Sequence, residues 1–320
     1  MRRFGLACLC LALSCGHGIA GTVYVARQEA GAVARIEAGT TGALAAIAVG
    51  GSPAQVAAGP DGRLYLTQPD GHAVTVVDPA TNTVLRRLPF AGQAFGIAVS
   101  ADGAGLFVGD WANARVVRLS AETGAVEGSV AVGREPAGLV LDARGRLYVA
   151  DRESRQVSVV DTATMTRTDT LPVGQAPFAL ALSPKQDRLY VANVRSGDLS
   201  VLETGSARAL ATVRIGGMPY GVAASADGRL VLVTDQQAGR VVALDAATLG
   251  LQATVSVGRY PEGIVVDGDR AYVANWFSDS VSVIDLATLV ETGRIPVGAG
   301  PRSLAVVPDP PARRPGGGRP

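Results

Sequence analysis

Six carboxylates recur at one kind of place in this sequence. Glu37, Asp78, Asp161, Glu203, Asp245 and Asp285 each close a valine-rich run, with Ser120 at the equivalent point of a seventh copy. A row of acids is a first candidate for acid–base chemistry. A carboxylate that ends a strand and precedes Thr also accepts backbone N–H bonds in a turn, which explains the recurrence without a reaction. Asp267-Gly268-Asp269 could open a calcium loop, but it falls in a hairpin turn and no distal carboxylate completes the coordination. His72 is the one histidine beyond the first twenty residues. It cannot build a multi-His metal or haem site alone, and no nucleophile is spaced to form a dyad with it. P-loop, GxSxG and HExxH patterns are absent. The reading is no catalytic set, no metal and no cofactor.

Residues suited to binding form two other sets. The first follows a recurrent YVA-like step and comprises Arg27, Gln68, Asp110, Asp151, Asn193, Asp235 and Asn275, with Trp111 and Trp276 directly after it in two copies. The second follows a recurrent VGxxP-like step and comprises Ala54, Phe95, Ala137, Phe178, Tyr220, Glu262 and Arg302. Here an otherwise regular pattern diverges. Aromatic bodies mixed with a few polar groups suit a ligand or partner site. The candidates are Phe95, Asp110, Trp111, Asp151, Phe178, Asn193, Tyr220, Asp235, Glu262, Asn275, Trp276 and Arg302. An alternative stays open, in which Phe95, Phe178 and Tyr220 plug a channel and Glu262 pairs with Arg302.

These positions are set by an internal repeat. The aromatic of the YVA step falls at Tyr24, Tyr65, Phe107, Tyr148, Tyr190, Leu232 and Tyr272, at intervals of 41, 42, 41, 42, 42 and 40. Seven copies of about 41 residues, each divisible into four short runs with tight turns, fit the four-stranded blade of a β-propeller. Alternation within VSVVD has period two, as a strand requires. In the first run of each copy Gly or Ala holds one parity, as at Gly96 and Ala98, and Ile97, Leu139, Leu180, Val222, Ile264 and Leu304 hold the other. Small residues are expected to face the central channel and large ones the neighbouring sheets.

YVAN at Tyr272–Asn275 and Tyr190–Asn193, VSVID at Val281–Asp285 and the VGxxP step resemble the YVTN-repeat, YncE-like propeller family, and the resemblance runs from Thr22 to Pro308. Leu232 for Tyr, Ala94 for Pro and Gly109 for the small residue before the loop depart from the pattern without breaking its period. The resemblance implies an exported, all-β, seven-bladed propeller of four-stranded antiparallel blades. It implies little about activity, because one propeller frame carries many functions.

The ends point the same way. TVYVAR near the start reads as a second strand and RSLAVV near the end as a first strand, so N-terminal strands should pair with the C-terminal inner strand and close the ring. Residues 1–20 run from Arg2 and Arg3 through an apolar stretch to Gly18 and Ala20, the order of a secretory signal peptide cleaved after Ala20. The alternative is a lipoprotein anchored through Cys15. The three cysteines all lie in this segment, so the remainder forms no disulfide. Residues 21–308 are then the propeller, and 309–320 a disordered Pro/Gly/Arg tail.

The formal net charge of +1 provides no field to recruit nucleic acid or anionic membrane, and no transmembrane segment is expected. The expectation is a periplasmic or secreted monomer, non-catalytic, binding an unknown small molecule or periplasmic protein on its loop-rich face. The enzymatic alternative is a lactonase-like propeller or an accessory subunit of quinoprotein alcohol oxidation. A third option is single-stranded nucleic acid stacked on Trp111, Trp276 and Tyr220 beside Arg134, Arg195 and Arg259.

Overall fold

The computed structural model describes residues 21–37, 44–206 and 208–308. The signal-peptide reading, with Cys15, and the tail reading fall outside them. Among the described residues, twenty-eight strands form seven four-stranded sheets and there is no α-helix. Every neighbouring pair is antiparallel, as the seven-copy repeat predicts. Six blades are continuous in sequence. The seventh joins Pro301–Pro308, as its innermost strand, to Gly21–Arg27, Ala32–Ile36 and Leu44–Ala48. The closing pair runs in register from Gly21 opposite Pro308 to Ala26 opposite Ser303. This closure leaves no blade face without a neighbour.

The core lies between blades. Tyr24, Tyr65, Phe107, Tyr148, Tyr190, Leu232 and Tyr272 are all buried. Tyr272, for example, packs in a cluster with Val23, Val25 and Leu304 of the adjoining blade. Burying a side chain such as Phe107 or Leu232 contributes about 1.5–3 kcal/mol. Four of the recurrent acids, Asp78, Asp161, Asp245 and Asp285, hold turns as the sequence suggests, whereas Glu37 pairs with Arg35 and Glu203 accepts from the Ser206 hydroxyl. The Asp161 carboxylate accepts from the backbone N–H of Thr164 (2.8 Å) and Ala163 (3.0 Å) and from the Thr164 hydroxyl (2.9 Å). These bonds, led by the Thr164 N–H, hold its carboxyl below the usual range. Asp245 and Asp285 repeat the arrangement.

The expected direction of the small hub residues is corrected. A Cβ added at Gly96 would lie 2.0 Å from the Ala137 carbonyl oxygen, at Gly138 2.4 Å from that of Phe178, and at Gly221 2.3 Å from that of Glu262. The small positions therefore face the next blade's innermost strand. The large set packs between sheets as expected, Ile97 with Tyr65, Val74 and Leu88 of the preceding blade and Leu304 with Tyr272 and Val281, and it also borders the central cavity of about 210 Å³ together with Gly221 and Gly263. Where seven sheets converge, the tightest spacing is between adjacent innermost backbones and not across the channel.

Candidate functional site

One backbone irregularity sets the mouth of the channel. In six blades the innermost strand shifts register against its neighbour, between Ala94 and Ile97, Pro136 and Leu139, Pro177 and Leu180, Pro219 and Val222, Pro261 and Ile264, and opposite the Ala26–Arg27 step. A bulge leaves an extra residue unpaired and re-aims its side chain. The segments so freed hold Phe95, Ala137, Phe178, Tyr220, Glu262 and Arg302. Threonine hydroxyls tie this ring together across blades. Thr67 Oγ1 donates to the Phe95 carbonyl (2.6 Å), and Thr234 Oγ1 accepts from Gly221 N–H (2.7 Å) and donates to the Glu262 carbonyl (2.8 Å).

The ring side chains meet over the channel. Phe95 meets Phe178 edge-on at 5.9 Å between centroids, and Phe178 lies 4.1 Å from Tyr220. The Tyr220 hydroxyl accepts from Arg302 Nη2 (2.9 Å), Arg302 Nε lies 3.3 Å from Glu262 Oε2, and Nη1 donates to Gln28 Oε1. The same guanidinium stands 5.4 Å from the Phe95 ring centre and 5.7 Å from that of Trp276. Glu262 Oε1 accepts from Gln236 Nε2 (3.0 Å). Burial pushes the Glu262 carboxyl up to about 7, against the opposing pull of Arg302 and Gln236. Burial likewise raises the Tyr220 phenol, with Glu262 adding to the shift and Arg302 opposing it. These contacts fill the mouth, while Trp111, Tyr220 and Trp276 keep partly exposed surface around it.

The other predicted set lies behind this ring. Asp110, Asp151, Asn193, Asp235 and Asn275 are fully buried, and each bonds the residue opposite it in its own hairpin or that residue's strand neighbour. Asp110 pairs with Arg115 (2.9 Å), Asp235 with Arg240 (2.9 Å), and Asp151 accepts from Gln156 (2.9 Å) and Ser158 (2.6 Å). Asn193 donates to Asp198 (2.7 Å), and Asn275 to Ser282 (2.9 Å). The variation among these residues thus follows the variation of their hairpin partners. Burial raises the Asp151 carboxyl despite bonds from Ser158 and Gln156; the position opposite is Gln156 where two other blades carry Arg.

Two residues outside the sequence-derived set belong to the same face. Phe277 is 54% exposed and meets Tyr260 at 4.9 Å between ring centres, with the planes tilted by 50°. The signal was present in the loop NWFSDS, where other copies carry ADRES or ANVRS. Seven aromatics, Tyr24, Tyr65, Phe90, Phe107, Tyr148, Tyr190 and Tyr272, are buried in the blades. Phe95, Trp111, Phe178, Tyr220, Tyr260, Trp276 and Phe277 gather on the loop-rich face. Among the residues whose burial is described, every other exposed large apolar side chain, from Leu85 to Val290, is an aliphatic on an outermost strand.

Arginines on this face are engaged locally. Arg195 pairs with Glu153 (2.7 Å), Arg134 Nη2 donates to the Glu153 carbonyl (3.0 Å), and Arg259 Nη2 to the Phe277 carbonyl (2.5 Å). Arg152 pairs with Glu135 (2.7 Å) and stands 5.8 Å from the Trp111 ring. His72 occupies a left-handed turn (φ 47°), its Nδ1 2.6 Å from the Gly92 carbonyl oxygen.

Comparison with known proteins follows the fold. Residues 142–274 match the family described as Cytochrome D1 heme domain. The proteins named Uncharacterized protein YncE of Salmonella typhi and Salmonella typhimurium are 33% identical over 126 residues, 38% of this chain. The match spans about a third, 35%, of those relatives' length. A chain of Kuenenia stuttgartiensis hydrazine synthase superposes with a TM-score of 0.73 at 22% identity, covering 80% of this chain and 90% of that one. A functionally unknown protein from Desulfotomaculum acetoxidans DSM 771 reaches 0.77 at 13% identity, covering 89% and 98%. At these identities the structural likeness speaks for the fold. With the seven blades, the matches support a YncE-like propeller family.

The residues do not fit the haem that the first of these families would imply. His72 is the one histidine among the described residues, it lies in a surface loop, and the described residues include no cysteine. No group of three or more His, Cys, Asp or Glu among them could hold a metal ion. The cavity of about 210 Å³, which Phe178, Tyr220 and Arg302 of the ring also line, is smaller than the roughly 300–1,000 Å³ of ordinary ligand pockets. No helix among the described residues is long and apolar enough to cross a membrane.

Proposed function

On this YncE-like frame, we propose that the protein is an exported, non-catalytic propeller that binds a small ligand or a protein partner on its loop-rich face. The observation that carries the reading is the segregation of aromatic surface. Among the described residues, both tryptophans and every aromatic not buried in a blade lie on this one face, with Phe277 54% exposed. Aromatic side chains provide large, rigid contact area and dominate binding hot spots.

The filled channel mouth supports a surface site over a deep one. Contact would fall on the rim formed by Trp111, Tyr220, Tyr260, Trp276 and Phe277, with Phe95, Phe178, Glu262 and Arg302 as a rigid floor and Asp110, Asp151, Asn193, Asp235 and Asn275 as buried hairpin clasps behind them. Local pairing of Arg134, Arg195 and Arg259 disfavours a tract of nucleic-acid phosphates. Export rests on the basic–apolar–small order of residues 1–20.

Because both tryptophans flank the mouth, intrinsic fluorescence tests the reading. A molecule copurified from the periplasm should shift tryptophan emission when added back to stripped protein, and Trp276→Phe with Phe277→Ser should weaken its binding ~5–150-fold. Unchanged emission and affinity would count against it, and affinity falling steeply with salt would favour nucleic acid.

A further inference from the structure

The seam that closes the ring holds a backbone nitrogen against a carboxylate. Gly21 N lies 2.9 Å from Asp267 Oδ2, across 246 residues of chain. Gly21 is buried where the closing strands begin their pairing, opposite Pro308. A Cβ at Gly21 would lie 2.7 Å from Val306 Cγ1 and 2.8 Å from the Val307 carbonyl oxygen, so glycine is required there. Asp267 opens the Asp-Gly-Asp hairpin turn and pairs in register with Arg270 across it. Its neighbours Asp269 and Arg270 face each other at 3.9 Å, with Asp269 75% exposed.

We propose that Asp267 is the receptor for the protein's processed N-terminus: hydrolysis of the Ala20–Gly21 peptide bond creates an α-ammonium at Gly21 that the Asp267 carboxylate holds as an ion pair across the seam. In that step water adds across the C–N bond, Ala20 leaves with a carboxylate, and Gly21 keeps the amine, which is protonated at neutral pH. The enzyme required is an endoprotease of the signal-peptidase class. An unpaired ammonium at this buried position would be costly, and a carboxylate at hydrogen-bond distance offsets that cost. Asp267 and Gly21 lie in adjoining blades, so the pair joins the last continuous blade to the one completed by both chain ends. Processing and closure are thereby coupled. The inference rests on the export reading for the origin of the free amine, but the receptor geometry can be tested without it.

The experiment uses the amine chemistry of the chain, in which Lys185 is the only lysine and serves as an internal reference. Protein expressed from the full-length gene is first examined by intact mass, with Gly21 expected as the first residue. A chain made to begin at Gly21, which contains all seven blades, is then labelled with an acetylating reagent in wild-type and Asp267→Asn forms. Relative to Lys185, the α-amine should label at least ~5-fold more slowly in the wild type than in Asp267→Asn. The melting temperature of the variant should be lower by about 2 °C or more. One extra residue before Gly21 leaves an N–H bond to Asp267 but no charge on it, so it should shrink that difference between wild type and variant. Equal relative labelling in the two forms overturns the receptor, whatever the first residue proves to be. A different first residue in the exported protein, with slow labelling retained in the chain begun at Gly21, overturns the processing step and the export reading with it.

Discussion

Glu262 stands between Arg302, which favours its ionised form, and a buried setting that favours the neutral one. Burial prevails, with the carboxyl pushed up from 4.5 to about 7. Below 4.5 the folded and unfolded chains both carry the proton. Between 4.5 and 7 the unfolded carboxyl has lost it while the folded one retains it, so Glu262 makes stability fall as pH rises through that window. Glu262→Gln removes this contribution. Compared with the variant, the wild type should lose roughly 2–4 kcal/mol between pH 4.5 and 7 in urea unfolding. A constant difference across the window would show that Arg302 keeps the carboxylate charged. At this scale the divergent mouth residues were legible, because six bulges place them at equivalent points of a regular repeat. Of their mutual contacts, the Glu262–Arg302 pair was among the readings the sequence offered and stands at 3.3 Å, whereas the bond from Arg302 to Tyr220 across 82 residues was not, because no periodicity announces such a pair.

Strands and turns were legible as elements because alternation, turn residues and a period near 41 agree. The same alternation separates two faces of an innermost strand without saying what each one meets. Gly138 resolves the ambiguity, since its missing side chain leaves room for the Phe178 carbonyl of the next blade. Gly138→Ala should destabilise by ~1–3 kcal/mol, because a backbone neighbour cannot rotate away as a flexible side chain could. Gly293 provides the comparison: it lies in an outermost strand with nothing within 4 Å of an added Cβ. Gly293→Ala should be neutral or stabilising by up to ~1 kcal/mol. Parallel urea denaturation of the two variants checks the hub geometry, and equal effects would contradict it.

The whole molecule is held as a ring by one strand from each end of the described chain. A chain ending at Gly298 lacks Pro301–Pro308, strips Gly21–Arg27 of a partner and opens a core cluster that includes Leu304, Val23 and Tyr272. It should melt more than ~10 °C lower or fail to fold, whereas a chain ending at Pro308 should melt within ~2 °C of the full chain. Closure was legible because the first copy lacks an inner strand and the last segment supplies one. The identity of a partner was not, since a propeller frame does not specify what its face binds.

Native mass spectrometry of protein recovered from the periplasm shows whether binding resides on the aromatic loop-rich face. Wild type is compared with a loop-face variant, Trp111→Ser with Trp276→Ser and Phe277→Ser, and with an opposite-face variant, Arg144→Ala with Lys185→Ala, after matching their melting curves. A bound mass should be present on wild type and the opposite-face variant and lost from the loop-face variant; retention by the loop-face variant with loss from the opposite-face variant would place binding on the other face.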